Sequence, residues 1–120
     1  MKIVSLSDIK PYNPPAHFDM VALKIQGEEE TGLTKFWQGL SYFLPNGGAN
    51  MQYQTGTFGA EFEKSYYVID GELTVIDEKN HATVLHAGDS VAIYPNEGRK
   101  LKNSIKLLMI AHGYPTKKHL

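Results

Sequence analysis

Between Lys64 and Asn103 the chain sets down three β-type runs so closely spaced that only antiparallel pairing can join them. The runs are Tyr66 to Ile69, Leu73 to Ile76 and Ser90 to Tyr94, divided by Asp70-Gly71, Asp77-Glu78-Lys79-Asn80 and Ala87-Gly88-Asp89. Glycine, aspartate and asparagine are the residues that accept the backbone angles a tight turn requires. Parallel strands would need a crossover of a dozen or more residues, for which these intervals leave no room. The stretch therefore reads as an antiparallel meander and the chain as an all-β barrel or sandwich.

The spacing within this stretch carries a resemblance. Lys64 is followed by SYYVID and then by Gly71-Glu72-Leu73, while counting onward from Gly88 lands on Tyr94, Asn96, Arg99 and Asn103. The stretch resembles the two motifs of the cupins. The first of these ends in a glutamate, six residues and a glycine, the spacing of Lys64 and Gly71 here. The second runs from a glycine through a proline, a glycine and a histidine to an asparagine. The resemblance implies an antiparallel jelly-roll β-barrel over residues 1–120, one cupin domain with an N-terminal arm of about residues 1–19. Only Gly88 and Asn103 match the second motif outright. Where the family places a metal-binding histidine this chain has Arg99, and where it places a glutamate it has Lys64. The family's upstream pair of histidines would fall near Gln52 and Gln54 if Thr55 to Glu63 is an insertion, and among Thr57 to Ala60 otherwise. Neither placement holds a histidine, so no metal and no cofactor are expected.

At 120 residues the chain is long enough for one core, burying about two-thirds of its unfolded surface. A net charge of −1 and a pI near 6.5 offer no long-range attraction to nucleic acid or an anionic membrane. With no cysteine there is no disulfide framework and no thiolate chemistry. The opening MKIVSLSDIK has no apolar run of signal-peptide length, and a cytoplasmic location is expected.

Taken in order, Lys2 to Leu6 suits a short edge strand. Pro11, Pro14 and Pro15 then interrupt regular structure, so this segment is expected to lie across the outside. Met20 to Ile25 reads as a strand, and Glu28 to Gly32 as a solvated acidic loop. Lys35 to Leu44 reads as a strand stopped by Pro45-Asn46-Gly47-Gly48, its Trp37, Tyr42 and Phe43 destined for core or interface. In a further strand from Asn50 to Thr55, Asn50, Gln52 and Gln54 share one face and Met51 and Tyr53 the other. Such a polar face either meets water or lines a cavity, and the cupin register points it inward. Lys106 to Ala111 fits a closing strand buried on both sides, and a frayed tail is expected from Gly113 onward.

Strand parity assigns the interior. If Lys64 points inward, so do Tyr66 and Val68; if Arg99 does, so does Leu101, leaving Lys100 and Lys102 in water. The opposite register would bury two lysines at several kcal/mol each. Ser65, Tyr67 and Ile69 then form a largely apolar outer face, which predicts a covering element or a homodimer.

None of the five histidines, His17, His81, His86, His112 and His119, is spaced to give two metal ligands from one strand, and His81 and His86 are expected at the surface. No phosphate-binding loop, nucleophile elbow or zinc helix motif occurs. Lys64 and Arg99 would instead turn a cation site into an anion site. Candidate catalytic residues are Lys64, as electrophile or amine, and Tyr66; Gln52, Gln54, Arg99 and Tyr94 are candidate ligand contacts, and Tyr53 or Tyr94 could also move a proton. A plainer reading pairs Lys64 with Glu61 or Glu63 and Arg99 with Asp89 or Glu97 as ordinary ion pairs. The expected function is metal-independent binding of a small anionic metabolite, with lyase, isomerase or cyclase activity where there is turnover. A non-catalytic effector or sugar-acid binder and a metal-dependent dioxygenase or isomerase with atypical ligands are the alternatives.

Overall fold

The computed structural model describes residues 1–103 and 108–114, and in the last strand it describes the side chain of Ile110 alone. After a 3-10 turn at Leu6–Asp8 come β1 (Pro11–Tyr12), β2 (His17–Gln26), α1 (Glu28–Thr31), β3 (Trp37–Gln52), β4 (Lys64–Asp70) and β5 (Glu72–Asp77). β6 (Ala82–His86), β7 (Ser90–Ile93), β8 (Arg99–Lys102) and β9 (Leu108–Tyr114) follow. The pairings are antiparallel and run β6-β5-β8-β3-β9-β4-β7, with β2 also on β3 and β1 on β2.

This is a jelly-roll arrangement, and it corrects the meander. β4 pairs with β7 and β9, whereas β5 pairs with β6 and β8. Asp70-Gly71 is thus a corner between two sheets and not a hairpin. Gly71 sits at φ 88°, an angle that glycine adopts without the clash of a β-carbon.

β3 joins the sheets. Its first half, Trp37 to Phe43, pairs with β9, and its last part, from Gly48, pairs with β8. The expected stop at Pro45 is therefore a bend within one long strand. Proline is tolerated there because the strand is changing neighbours and needs no ladder donor. Asn103 fastens the bend. Its backbone amide donates to Gly47 O at 2.9 Å, its carbonyl accepts from Asn46 N at 2.7 Å, and its buried side-chain amide donates to Phe43 O at 3.0 Å and Leu44 O at 3.2 Å. At Gly48 a β-carbon would collide with the carbonyl oxygen of Leu101, so the two strands approach only because that carbon is missing.

The burial of β4 and β8 alternates as the parity argument requires. Lys64, Tyr66 and Val68 are buried with Arg99 and Leu101, while Lys100 and Lys102 are exposed. Phe43, Ala49, Tyr66, Val68, Leu73, Ile93, Leu101 and Ile110 form the core. The large aliphatic and aromatic members each contribute about 1.5–3 kcal/mol by leaving water.

Peripheral expectations are refined as well. Lys2 to Leu6 forms no strand, and within the proline-rich segment Pro11 and Tyr12 pair with Leu23 and Ala22 of β2. The acidic loop is a single helical turn, α1, closed by Gly32 at φ 76°. Three glutamates at its start suit the positive end of a helix. Lys106 and Leu107, and the tail from residue 115, lie outside the described residues. Gly113 and Tyr114 are paired with Gln38 and Trp37 in β9.

Candidate small-molecule cavity

A cavity of about 120 Å³ opens inside the barrel mouth. On one side the N-terminal segment contributes Tyr12, Pro14, Pro15 and His17; on the other β3 contributes Trp37, Ser41, Phe43 and Gln52. Tyr53, Tyr66, Leu101 and Ile110 complete it. Odd-numbered residues of β3 share the inward face over Trp37 to Phe43, as a period of two requires. At the end of the strand Gln52 and Tyr53 both reach the cavity although they are adjacent, because Tyr53 takes a left-handed backbone (φ 68°) that breaks the alternation.

Arg99 stands behind this lining, 2% exposed. It is the cross-strand partner of Gln52, and facing partners place their side chains on one side of a sheet. Its Nη1 accordingly donates to Gln52 Oε1 at 2.9 Å, and its Nη2 donates to the Tyr66 hydroxyl oxygen. Gln52 passes the connection on, its Nε2 donating to Pro15 O at 2.8 Å. The same carbonyl accepts from His17 Nδ1 at 2.7 Å. One run of hydrogen bonds therefore ties β8 and β4, through β3, to the N-terminal segment.

Lys64 is buried beside this run but outside the lining. Its Nζ donates to Phe62 O at 2.6 Å and Gly59 O at 3.3 Å and lies 4.2 Å from the centre of the Tyr53 ring. The Arg99 guanidinium carbon lies 4.8 Å from that same ring. Burial, and then the charge of Arg99, pull the Lys64 ammonium down to a pKa of about 8, against the pull of Glu61 and Glu97. Burial and Arg99 also lower His17, opposed by the Pro15 hydrogen bond. Tyr12 is pushed up to about 12 by burial, with Tyr53, Tyr66 and Glu30 acting in the same direction.

Of the residues singled out from sequence, Gln52 and Tyr66 line the cavity and Arg99 and Lys64 back it. Gln54 lies outside the lining, its β-carbon against Gly98. Tyr94 is 61% exposed and away from it. Lys64 meets the Phe62 and Gly59 carbonyls and the Tyr53 ring, and Arg99 meets the Gln52 amide and the Tyr66 phenol. His81 and His86 are at the surface, with side-chain exposures of 74% and 63%. Among the described residues no three histidine, aspartate or glutamate side chains gather as a metal site would need. Tyr12, His17 and Ser41 were not found from sequence. Ser41 shares the two-residue period of Trp37 and Phe43, which was signal enough; Tyr12 and His17 sit among prolines, where no period exists.

A β-D-galactosidase of Mycobacterium tuberculosis is 32% identical to this chain over 117 residues, spanning 93% of the chain and 95% of that protein. Among solved structures, a polyketide cyclase from Streptomyces resistomycificus aligns over 98% of this chain and 80% of its own, with a TM-score of 0.82 at 17% identity. An RmlC-like cupin from Shewanella frigidimarina aligns over 99% and 95%, with a TM-score of 0.73 at 12% identity. At those identities the two structures speak to the fold. No family model matches the chain. Among the described residues no helix is long and apolar enough to cross a membrane.

Proposed function

We propose that this chain, which shares the fold of the RmlC-like cupin, binds a small carboxylate-type anion in its cavity without the aid of a metal. The observation that carries this reading is the placement of Arg99. A guanidinium almost fully removed from water stands behind the cavity wall and donates to two of its lining side chains, Gln52 and Tyr66. Lys64 adds a second positive charge behind Tyr53. Such a pair favours a ligand that brings negative charge, because the local dielectric is low and the charges repel one another.

Gln52 and Tyr66 are the ligand contacts in this reading, Arg99 the anion-binding charge, and Lys64 a source of field more than of contact. A ligand carboxylate takes the place of Gln52 Oε1 on the guanidinium, which suits the forked geometry of arginine. Short carboxylates such as malonate and pyruvate should raise the melting temperature of the wild type, by the equivalent of roughly 2.7 kcal/mol at a hundredfold excess over Kd. The rise should disappear in Arg99→Met. Equal stabilisation of both proteins, or of neither, would sink the reading.

A second reading follows from the 32% identity to the mycobacterial protein, whose name is that of a β-D-galactosidase. Glycoside hydrolysis ordinarily uses two carboxyl groups flanking the bond. The described lining offers none, so the anion reading stands first. Release of nitrophenol from nitrophenyl β-D-galactoside by the purified protein, lost in a cavity variant, would reverse that order.

A further inference from the structure

We propose that His17 is a catalytic base of the cavity and that its substrate is a small 2-oxo acid, whose C3 proton His17 removes while Tyr66 holds the enolate oxygen. This rests on the anion reading and adds to it a reaction, a substrate class and a residue from outside both cupin motifs.

The imidazole is held in one tautomer. A carbonyl oxygen only accepts, so the Pro15 contact requires the hydrogen on Nδ1 and leaves the lone pair on Nε2. The backbone on either side is fixed as well. Ala16 (φ 61°) and Asp19 (φ 49°) both occupy left-handed angles that non-glycine residues avoid, and Asn50 N donates to Ala16 O at 2.9 Å. Strain of this kind persists where surrounding contacts impose it, and it collects at functional sites. Burial and Arg99 favour the neutral imidazole, the form a base needs. The other ionisable lining groups are the phenols of Tyr12, Tyr53 and Tyr66, which as a class act as donors.

The partner acid is Tyr66. Its oxygen accepts from Arg99, which polarises the phenol toward donating its own hydrogen to a carbonyl oxygen. The cavity is small, about 120 Å³, which suits a short-chain acid. A 2-oxo acid presents a carboxylate to Arg99 and a ketone to Tyr66. When the C3–H bond breaks, the proton goes to His17 Nε2 and the electron pair forms the C2=C3 double bond. The carbonyl π pair moves onto oxygen against Tyr66. Return of a proton from the imidazolium to C3 restores the ketone, so no electrons leave and no co-reactant is consumed.

The experiment is proton NMR of 2-oxobutanoate in deuterium oxide with the full chain, alongside melting curves with the same acid. The wild type should exchange the C3 protons faster than buffer, and His17→Gln should lose about a hundredfold or more of that rate while keeping the thermal stabilisation. His17→Ala should recover exchange on addition of imidazole, which a purely structural role would not give. Stabilisation without exchange, or undiminished exchange in His17→Gln, overturns the assignment and leaves the anion site standing. No stabilisation by this or any short carboxylate overturns both.

Discussion

Lys64 holds its ammonium nitrogen 4.2 Å from the centre of the Tyr53 ring, in a pocket otherwise closed by the carbonyls of Phe62 and Gly59. The contact is favourable for a cation over an aromatic face, yet the surroundings press the amine toward neutrality because burial and Arg99 outweigh the pull of Glu61 and Glu97. The folded chain releases this proton near pH 8, whereas the unfolded chain keeps it to its ordinary value of 10.5.

Between those two values unfolding takes up a proton, so stability rises with pH across the window. Denaturant midpoints measured at pH 8 and pH 10 should show that rise in the wild type and a smaller one in Lys64→Met. Tyr12, raised to about 12, acts in the opposite sense and only above its ordinary 10, equally in both proteins. Identical rises would show that Lys64 titrates as an ordinary surface amine.

Gly48→Ala should destabilise strongly. The added carbon meets the Leu101 carbonyl, a backbone group that cannot swing aside, and overpacking of this kind costs about 1–3 kcal/mol or more. Gly56→Ala is the contrast. Gly56 sits at φ 88° with nothing within 4 Å of the added carbon, so only the left-handed penalty of about 1–2 kcal/mol applies. Equal melting temperatures for wild type and Gly48→Ala would refute the close approach.

What could be read from sequence followed the periodicity of two. Lys64, Tyr66 and Val68 alternate with exposed neighbours, and Arg99 and Leu101 do the same, so their inward faces were legible from register alone. Strand partners were not, because Asp70-Gly71 serves a hairpin and a corner equally well. Pro45 argued against a strand, and its tolerance depends on β3 exchanging β9 for β8 at that point. Gln52 and Tyr53 share the cavity through one backbone angle that no residue type announces.

Chelation should leave the melting temperature unchanged, and protein purified without added ions should carry no stoichiometric transition metal. Lys64 and Arg99 stand in the seats that resemble the family's glutamate and histidine positions, and two fixed cations repel a third. Near-unit metal content, lost together with stability on chelation, would contradict this.

The protein should sediment as a homodimer. Val21, Leu44, Tyr67 and Ile69, exposed at 38%, 46%, 50% and 42%, lie on the outward faces of β2, β3 and β4 in one sheet. An apolar face of that extent is costly to leave in water. Tyr67→Lys combined with Ile69→Lys should shift the mass toward monomer, and a wild-type protein already monomeric would refute the proposal.

The order in which the strands enter has a consequence for folding. β9, the last described strand in the sequence, is not an edge strand: it lies between β3 and β4, pairing Leu40 with Ala111 and Tyr67 with Ala111. Until it arrives the sheet has a gap at its middle, with two unpaired strand edges facing each other across the space of one strand. Those edges are separated from their eventual neighbour by long stretches of chain, so closure is a high-contact-order event, and the half-built barrel is the species most open to pairing with the wrong chain.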